Sequence, residues 1–164
     1  MIETSNLRKR YGRLVAVDGI SFRVEPGEVL GFLGPNGAGK STTMKMIAGF
    51  LAPSEGTAKV CGHDVTTDSL AARRALGYLP EGAPAYAEMT PRGLLAFVAD
   101  LRGLKGEQRK QRLDFVIGRL AIAGVLEQPI ETLSKGFKRR VGLACAIVHD
   151  PAALVLDEPT DGLD

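Results

Sequence analysis

The sequence predicts an α/β protein, and two of its features carry this prediction. Residues 34–41 form a glycine-rich segment between an apolar run at 29–33, which has the composition of a strand, and a helical pattern of apolar residues at 41–51. Nearer the other end, the apolar run at 152–156 is typical of a parallel strand buried on both faces. Strands that alternate with helices in this way indicate a sheet covered by helices.

The first half of the chain contains short strand segments separated by turn residues. Four segments are predicted strands: residues 20–24, 29–33, 56–60 and 76–79. Pro26 and Gly27 supply the reversal between the first two. The helix at 41–51 is predicted to end before Pro53, because proline cannot continue a helix.

After residue 80 the composition becomes helical. Thr90 followed by Pro91 is an N-cap with proline at the first helical position, and it opens a predicted helix through Leu101. A second helix is predicted over 107–123, which has a charged start and an apolar face.

These elements predict one domain with an insertion. Residues 1–80 and 133–164 are predicted to form the α/β core, with a helical subdomain at 81–132 inserted into it. Ser134 is placed to cap a helix that runs to about His149. No helical pattern follows the last predicted strand, so we expect a fragment of a longer domain whose C-terminal strands are missing.

The composition argues against several classes of function. A formal net charge of +2 and a pI near 8.6 are too mild for a nucleic-acid-binding surface, so the basic run 138–140 is predicted to be a solvated helix face. Cys61 and Cys145 lie far apart and indicate neither a disulfide framework nor a zinc site. No apolar run reaches 18 residues, so we expect no direct membrane insertion.

The segment 34–41 matches the pattern GxxxxGK[ST] of a phosphate-binding loop. Glycines let consecutive main-chain N–H groups point into one concavity, and the following helix N-terminus adds a partial positive charge. Lys40 is predicted to reach the β- and γ-phosphates, and Ser41 to offer its hydroxyl to Mg²⁺. A glycine-rich turn without a ligand is the alternative. The predicted ATP-binding residues of this segment are Gly34, Pro35, Asn36, Gly37, Ala38, Gly39, Lys40, Ser41 and Thr42.

Two carboxylates, Asp157 and Glu158, follow directly after the last predicted strand. Ligands bind at the carboxyl ends of strands in open α/β sheets, so these side chains are placed for chemistry. We predict that Asp157 holds Mg²⁺, directly or through water, and that Glu158 polarises the attacking water as the catalytic base. An acidic pair exposed to solvent is the alternative.

The segment 133–137, Leu-Ser-Lys-Gly-Phe, completes a series of motifs that ends with Asp-Gly-Leu-Asp at 161–164. In this order, the sequence resembles ABC ATPases over essentially its whole length. The resemblance implies a P-loop NTPase fold with an antiparallel β subdomain. It also implies that Ser134, Lys135 and Gly136 contact ATP held by a second protomer, so that the working unit is a homo- or heterodimer.

Two more residues are assigned by their position in this resemblance. Tyr11 stands where the family has an aromatic residue that stacks on adenine, with a tyrosine packed in the core as the alternative. Glu81 stands where most members carry a glutamine that touches Mg²⁺ and the attacking water. Since a carboxylate can also ligate Mg²⁺, the resemblance implies a catalytic and metal-binding role for Glu81. Lys135 and Phe137 depart from the commoner Gly and Gln, as in a branch of bacterial exporter ATPases.

The segments 78–81, 89–90 and 101–104 look most like those of ABC-2-type exporter ATPases. The resemblance implies an enzyme that hydrolyses Mg·ATP, drives a separate transmembrane permease and lies in the cytoplasm on the inner face of the cell membrane. A soluble ABC protein that remodels ribosomes or DNA is one alternative, and a non-hydrolysing regulatory member is another. The family's switch histidine follows a later strand, and neither His63 nor His149 stands in its position.

Overall fold

A computed structural model describes residues 1–82 and 86–158 of the chain, which divides into two units, Met1–Leu76 and Gly77–Asp164. The first unit contains β1 (Ile2–Tyr11), β2 (Leu14–Val24), α1 (Lys40–Ile47), β3 (Glu55–Val60), β4 (His63–Asp64) and α2 (Ser69–Ala75). Strand β5 (Leu76–Leu79) begins at the boundary. The second unit continues with α3 (Pro91–Leu101), α4 (Gly106–Arg119), α5 (Lys135–Ile147) and β6 (Ala153–Leu156), and with 3-10 helices at Ala123–Val125 and Ile130–Thr132.

The first unit is built on an antiparallel sheet with the strand order β2-β1-β3-β4. Tyr11 at the end of β1 pairs with Leu14 at the start of β2, and Gly12, with a φ of 58°, allows the tight two-residue connection between them. Helix α1 packs against β2 and β3. The sheet confirms the antiparallel β subdomain. The buried side chains of the first unit include Ile2, Leu7, Val17, Met46, Ile47, Ala58 and Val60.

The second unit has a helical core formed where α3, α4 and α5 pack against one another. The Thr90 hydroxyl accepts a hydrogen bond from the Gly93 N–H at 3.2 Å, which confirms the predicted cap of α3. Strands β5 and β6 form a two-stranded sheet. A Cβ on Gly77 would lie 2.3 Å from the carbonyl oxygen of Ala146, so glycine allows β5 to approach α5 closely. The core side chains include Leu94, Leu95, Val116, Ile122, Ile130, Val141 and Val148.

The predicted strand at 29–33 is wrong, because these residues lie outside every strand of the structure. Val29 and Leu33 are 95% and 97% exposed, and Phe32 packs edge to face on Phe22 with the ring centroids 5.2 Å apart. Main-chain groups need a ladder partner to form a strand, and within the described residues no strand pairs with this segment. The phosphate-binding motif is therefore preceded by an apolar segment without regular secondary structure.

Two predicted helix ends and one predicted burial pattern also differ from the structure. Helix α1 ends at Ile47, before the predicted end at residue 51, because Gly49 adopts a left-handed φ of 71°. Helix α4 ends at Arg119 and is followed by a 3-10 turn, before the predicted end at residue 123. Burial alternates along β6, and Leu154 is 41% exposed, so the prediction of burial on both faces is wrong for this residue.

Candidate functional site

The glycine-rich loop leads directly into α1, and Gly39 is the N-cap of this helix. Gly37 and Gly39 have φ values of 83° and 85°, in the left-handed region that glycine adopts at little cost. A Cβ on Gly39 would lie 2.4 Å from the carbonyl oxygen of Ala16 in β2. Only glycine therefore lets the end of this loop lie directly against the sheet of the first unit.

The ammonium group of Lys40 bends back over the loop. Its Nζ lies 2.6 Å from the carbonyl oxygen of Gly34 and 2.8 Å from that of Pro35. Both acceptors are neutral, whereas a phosphate oxygen is charged and would be the stronger partner. The cation is thus held at the loop by contacts that an anionic ligand can replace.

The first turn of α1 contains Ser41 and Thr42, and the next residue, Thr43, is a fully buried polar side chain. The Thr43 hydroxyl donates to the carbonyl oxygen of Gly39 at 2.8 Å, and its main-chain N–H donates to the same oxygen at 2.9 Å. Thr43 was not predicted as a functional residue. Its hydroxyl adds a second bond at the junction of loop and helix. Thr43 stands three and four residues before the buried Met46 and Ile47, and this helical spacing was the available signal.

Tyr11 lies at the end of β1 with half of its surface exposed. The alternative of a tyrosine packed in the core is therefore wrong. The Lys9 Nζ lies 5.3 Å from the centroid of the Tyr11 ring, a cation–π arrangement that leaves part of the ring open to solvent. An exposed aromatic face of this kind can stack on a base, and adenine stacking stays a prediction.

In the second unit, Asp157 follows β6 and is only 3% exposed. Its main-chain N–H donates to the carbonyl oxygen of Leu79 in β5 at 2.9 Å. Within the described residues its Oδ2 atom is buried and has no hydrogen-bond partner. A buried carboxylate oxygen without a donor costs free energy, so this atom is suited to a ligand. The alternative of a solvent-exposed acidic pair is wrong for Asp157.

Glu158 and Glu81 present exposed carboxylates in the same unit. Glu158 has a φ of 49°, which is uncommon for a residue with a side chain. Glu81 follows β5 after Pro80. Burial raises the pKa of Tyr78, and the negative charges of Asp157 and Glu81 raise it further, so both carboxylates act on this hydroxyl.

Arg139 lies on α5 and is 5% exposed, which contradicts the prediction of a solvated helix face at 138–140. Its guanidinium donates to main-chain carbonyl oxygens of Pro80, Gly82, Asp157 and Glu158. The prediction failed because the charge of the basic run was considered without the helical period. Arg139 stands two turns before the buried Ala146, on the same face of α5, and this spacing was the available signal.

The predicted contact residues for a second protomer lie at the start of α5. Ser134 caps the helix, with its hydroxyl accepting a hydrogen bond from the Phe137 N–H at 3.3 Å, which confirms the predicted cap. Ser134 and Lys135 are exposed, and Gly136 is partly exposed. The start of a helix bears main-chain N–H groups without helical acceptors, so this end of α5 is suited to an anion. The contact across a dimer stays a prediction.

Oxygen donors of the kind that Mg²⁺ takes occur in each of the two units. Across residues 1–82 and 86–158, no group of three or more His, Cys, Asp or Glu is arranged to hold a metal ion. Mg²⁺ commonly takes one or two protein oxygens and fills its shell with water and phosphate oxygens. The unpartnered Oδ2 of Asp157 and the hydroxyl of Ser41 are donors of this type.

None of the helices in the described part of the chain has both the length and the apolar character that a membrane span requires. The predicted motif at 161–164 lies outside the described residues.

Comparisons with known proteins agree with these motifs. A sequence profile described as "ABC transporter" matches residues 17–161. Over 164 residues the chain is 39% identical to the probable multidrug ABC transporter ATP-binding protein YbhF of Escherichia coli strain K12, and 37% identical to the linearmycin resistance ATP-binding protein LnrL of Bacillus subtilis strain 168. It is 38% identical over 163 residues to the Nod factor export ATP-binding protein I of Paraburkholderia xenovorans strain LB400.

The matches cover almost all of this chain but only part of these relatives. The chain spans 28%, 53% and 54% of the three proteins, in the order given. A solved structure titled as the ATP binding subunit of an ABC transporter has a TM-score of 0.91 and 31% sequence identity, and the match covers 99% of this chain and 68% of that one.

Proposed function

The chain belongs to the ABC transporter family, and on this premise we propose that it is the ATP-binding and ATP-hydrolysing part of a membrane exporter. The observation that carries the proposal is the loop 34–41. Left-handed glycines, a helix N-terminus and the Lys40 ammonium meet there in an arrangement suited to phosphate groups. The names of the three relatives, which concern multidrug transport, linearmycin resistance and Nod factor export, support the exporter assignment.

In this proposal, the first unit binds the nucleotide. Lys40 exchanges its carbonyl contacts for the β- and γ-phosphate oxygens, and the main-chain N–H groups of the loop and the first turn of α1 bind the remaining charge. Tyr11 stacks its exposed ring face on adenine. These residues neutralise and orient the phosphates before any bond breaks.

The carboxylates of the second unit are proposed to carry the hydrolytic step. Asp157 and Ser41 would each offer an oxygen to Mg²⁺, which when bound would neutralise charge on the phosphates. Glu158 orients a water molecule and accepts its proton as the water oxygen bonds to the γ-phosphorus and the bond to the bridging oxygen breaks. Glu81 supplies a further carboxylate for the metal and the water.

We further propose that the working unit is a dimer of ATPase domains coupled to a transmembrane permease. Ser134, Lys135 and Gly136 of one protomer then contact the ATP held by the other, which is consistent with the exposed start of α5. The helical subdomain at 81–132 is the proposed docking region for the permease, and the protein lies in the cytoplasm on the inner face of the membrane. ATP binding closes the dimer and hydrolysis releases it.

Affinity purification of the full-length protein from detergent-solubilised membranes tests this proposal. We expect a polytopic membrane protein to co-purify and to stimulate ATP hydrolysis. The Lys40→Met variant serves as a control, because we expect it to keep the fold and to lose ATP turnover. Co-purification of ribosomes or DNA without a membrane protein would contradict the transport assignment, and absence of ATP turnover by the purified complex would contradict the ATPase assignment.

A further inference from the structure

Arg139 is a buried cation whose partners in the described residues are main-chain oxygens. Its Nη1 lies 2.7 Å from the carbonyl oxygen of Pro80 and 3.4 Å from that of Gly82. Its Nη2 contacts the carbonyl oxygen of Asp157 and lies 2.6 Å from that of Glu158. Moving a guanidinium out of water is costly unless its donors are satisfied. Because the buried Nε has no hydrogen-bond partner among the described residues, the charge depends on these four contacts.

The contacts of Nη2 require an unusual main-chain conformation. Successive carbonyl groups of an extended strand point to opposite sides, so both can approach one nitrogen only if the chain leaves the extended conformation between them. The φ of 49° at Glu158 provides this change immediately after β6. A left-handed residue with a side chain persists only where its surroundings hold it, and the Arg139 guanidinium is one such restraint.

The two guanidinium nitrogens reach two different segments of the chain. Nη1 binds the segment 80–82, which bears Glu81, and Nη2 binds the segment 157–158. The fork of a guanidinium is planar and rigid, so it fixes the separation of its two sets of acceptors. One side chain therefore holds the main chain of Asp157 and Glu158 and the residues on either side of Glu81.

We propose that Arg139 is a positioning residue for ATP hydrolysis. Through main-chain contacts, it sets where the carboxylates of Asp157 and Glu158 lie and ties them to the segment that bears Glu81. Arg139 touches neither ATP nor water in this role, which rests on the proposed function. A displacement of about 1 Å in a catalytic group can lower a rate by roughly a hundredfold, so a residue that only fixes the main chain can have a large effect.

The test compares variants of the full-length protein. Arg139→Gln shortens the side chain and removes the fork, and Arg139→Lys keeps the charge on a single nitrogen that cannot span both segments. Arg112→Gln is the matched control, because Arg112 also donates to main-chain carbonyls in this unit, at 3.0 Å to Val148 and 2.8 Å to Ile147. Its contacts lie at the other end of α5 from Arg139.

Four quantities are measured: kcat, the dissociation constant of ATP, the melting temperature, and hydrogen exchange of the nucleotide-free protein. For Arg139→Gln we expect kcat to fall about tenfold to a hundredfold. ATP affinity should stay within about twofold, because the proposed phosphate contacts are in the loop 34–41. The rate of hydrogen exchange should increase at residues 77–82 and 153–158. Arg139→Lys should show an intermediate kcat.

The control variant and the contrary outcomes distinguish a positioning role of Arg139 from a role in stability alone. Arg112→Gln should lower the melting temperature and leave kcat unchanged. An unchanged kcat in a folded Arg139→Gln variant would overturn the proposal, as would a loss of ATP affinity in step with kcat for both Arg139 variants. If Arg139→Gln does not fold, a fully active Arg139→Lys variant would also overturn it. Absence of ATP turnover in the wild-type protein would instead overturn the proposed function itself, and this role with it.

Discussion

The ammonium nitrogen of Lys40 lies 2.6 Å from the main-chain carbonyl oxygen of Gly34, at the opposite end of the same loop. A second contact, to Pro35 at 2.8 Å, places the cation across the loop. These contacts hold the charge in place without a ligand, and a phosphate can displace them because it is a stronger acceptor.

Lys40→Met is expected to weaken ATP binding by about tenfold or more, because a hydrogen bond to a charged group contributes about 1.5–3 kcal/mol and 1.4 kcal/mol corresponds to a factor of ten. Isothermal titration calorimetry with Mg·ATP measures the change. Lys45→Met is the matched control, since Lys45 is an exposed lysine in the last turn of the same helix. Equal ATP affinity of the Lys40→Met variant and the wild type would contradict the assignment.

Gly39→Ala is expected to lower the free energy of unfolding by about 2–4 kcal/mol. Overpacking accounts for about 1–3 kcal/mol of this loss, and the left-handed φ accounts for about 1 kcal/mol. The new Cβ would lie 2.4 Å from the carbonyl oxygen of Ala16. Urea denaturation measures the loss. Gly27→Ala separates the two causes, because Gly27 has a φ of 80° but no atom within 4 Å of the added Cβ. Equal losses for both variants would show that the contact with Ala16 has no effect.

Glu158→Gln is expected to reduce kcat by about 10²–10⁴-fold, the usual contribution of a general base, while ATP affinity is retained. Because hydrolysis releases the proposed dimer, this variant should accumulate an ATP-bound dimer, which light scattering after size-exclusion chromatography detects. Glu88→Gln, at an exposed glutamate of the same unit, controls for the loss of one charge. Undiminished turnover by Glu158→Gln would remove this residue from the role of base.

Glu81→Gln is expected to lower the pKa of Tyr78 from its raised value, while burial still keeps it above the ordinary value of 10.0. A raised pKa in the folded state contributes stability below pH 10 that is lost as the pH rises through the folded pKa. The variant should therefore lose less of this contribution in strong alkali than the wild type. Spectrophotometric titration of phenolate formation, with Tyr78→Phe as the reference, measures the shift. An unchanged titration would mean that the Glu81 charge does not reach Tyr78.

Burial raises the pKa of the Cys145 thiol from 9.0 to about 12. The thiolate is the reactive form, so iodoacetamide should modify Cys145 much more slowly than Cys61 in the folded protein, and both at similar rates in urea. The raised pKa contributes stability that is complete below pH 9 and is lost as the pH rises through about 12. Peptide mass spectrometry measures the labelling, and fast modification of Cys145 in the folded protein would contradict its raised pKa.

Local features were predictable because they depend on neighbours in the chain. Thr90 and Ser134 cap α3 and α5 as predicted, since a capping hydroxyl bonds an N–H only three residues ahead. The glycines and Lys40 of the phosphate-binding loop lie within one short segment that runs into α1, so their spacing alone indicated an anion-binding loop. The helix ends were less accurate, because Gly49 could have continued α1 and instead ends it.

Features that depend on distant partners were not predictable in the same way. The apolar run at 29–33 has a strand's composition but no pairing strand among the described residues, and composition does not contain information about ladder partners. Arg139 was assigned to solvent from its charge, because the four carbonyl oxygens that receive its donors belong to segments far away in sequence.

By itself, the sequence determined the fold class, the phosphate-binding loop and the positions of the two carboxylates after the last strand, because each follows from residue types at short spacings. Only the tertiary structure decided that Asp157 is buried with an unpartnered oxygen and that Arg139 holds the main chain around it. Burial and hydrogen bonding depend on which distant segments pack together, and that is a property of the whole folded unit.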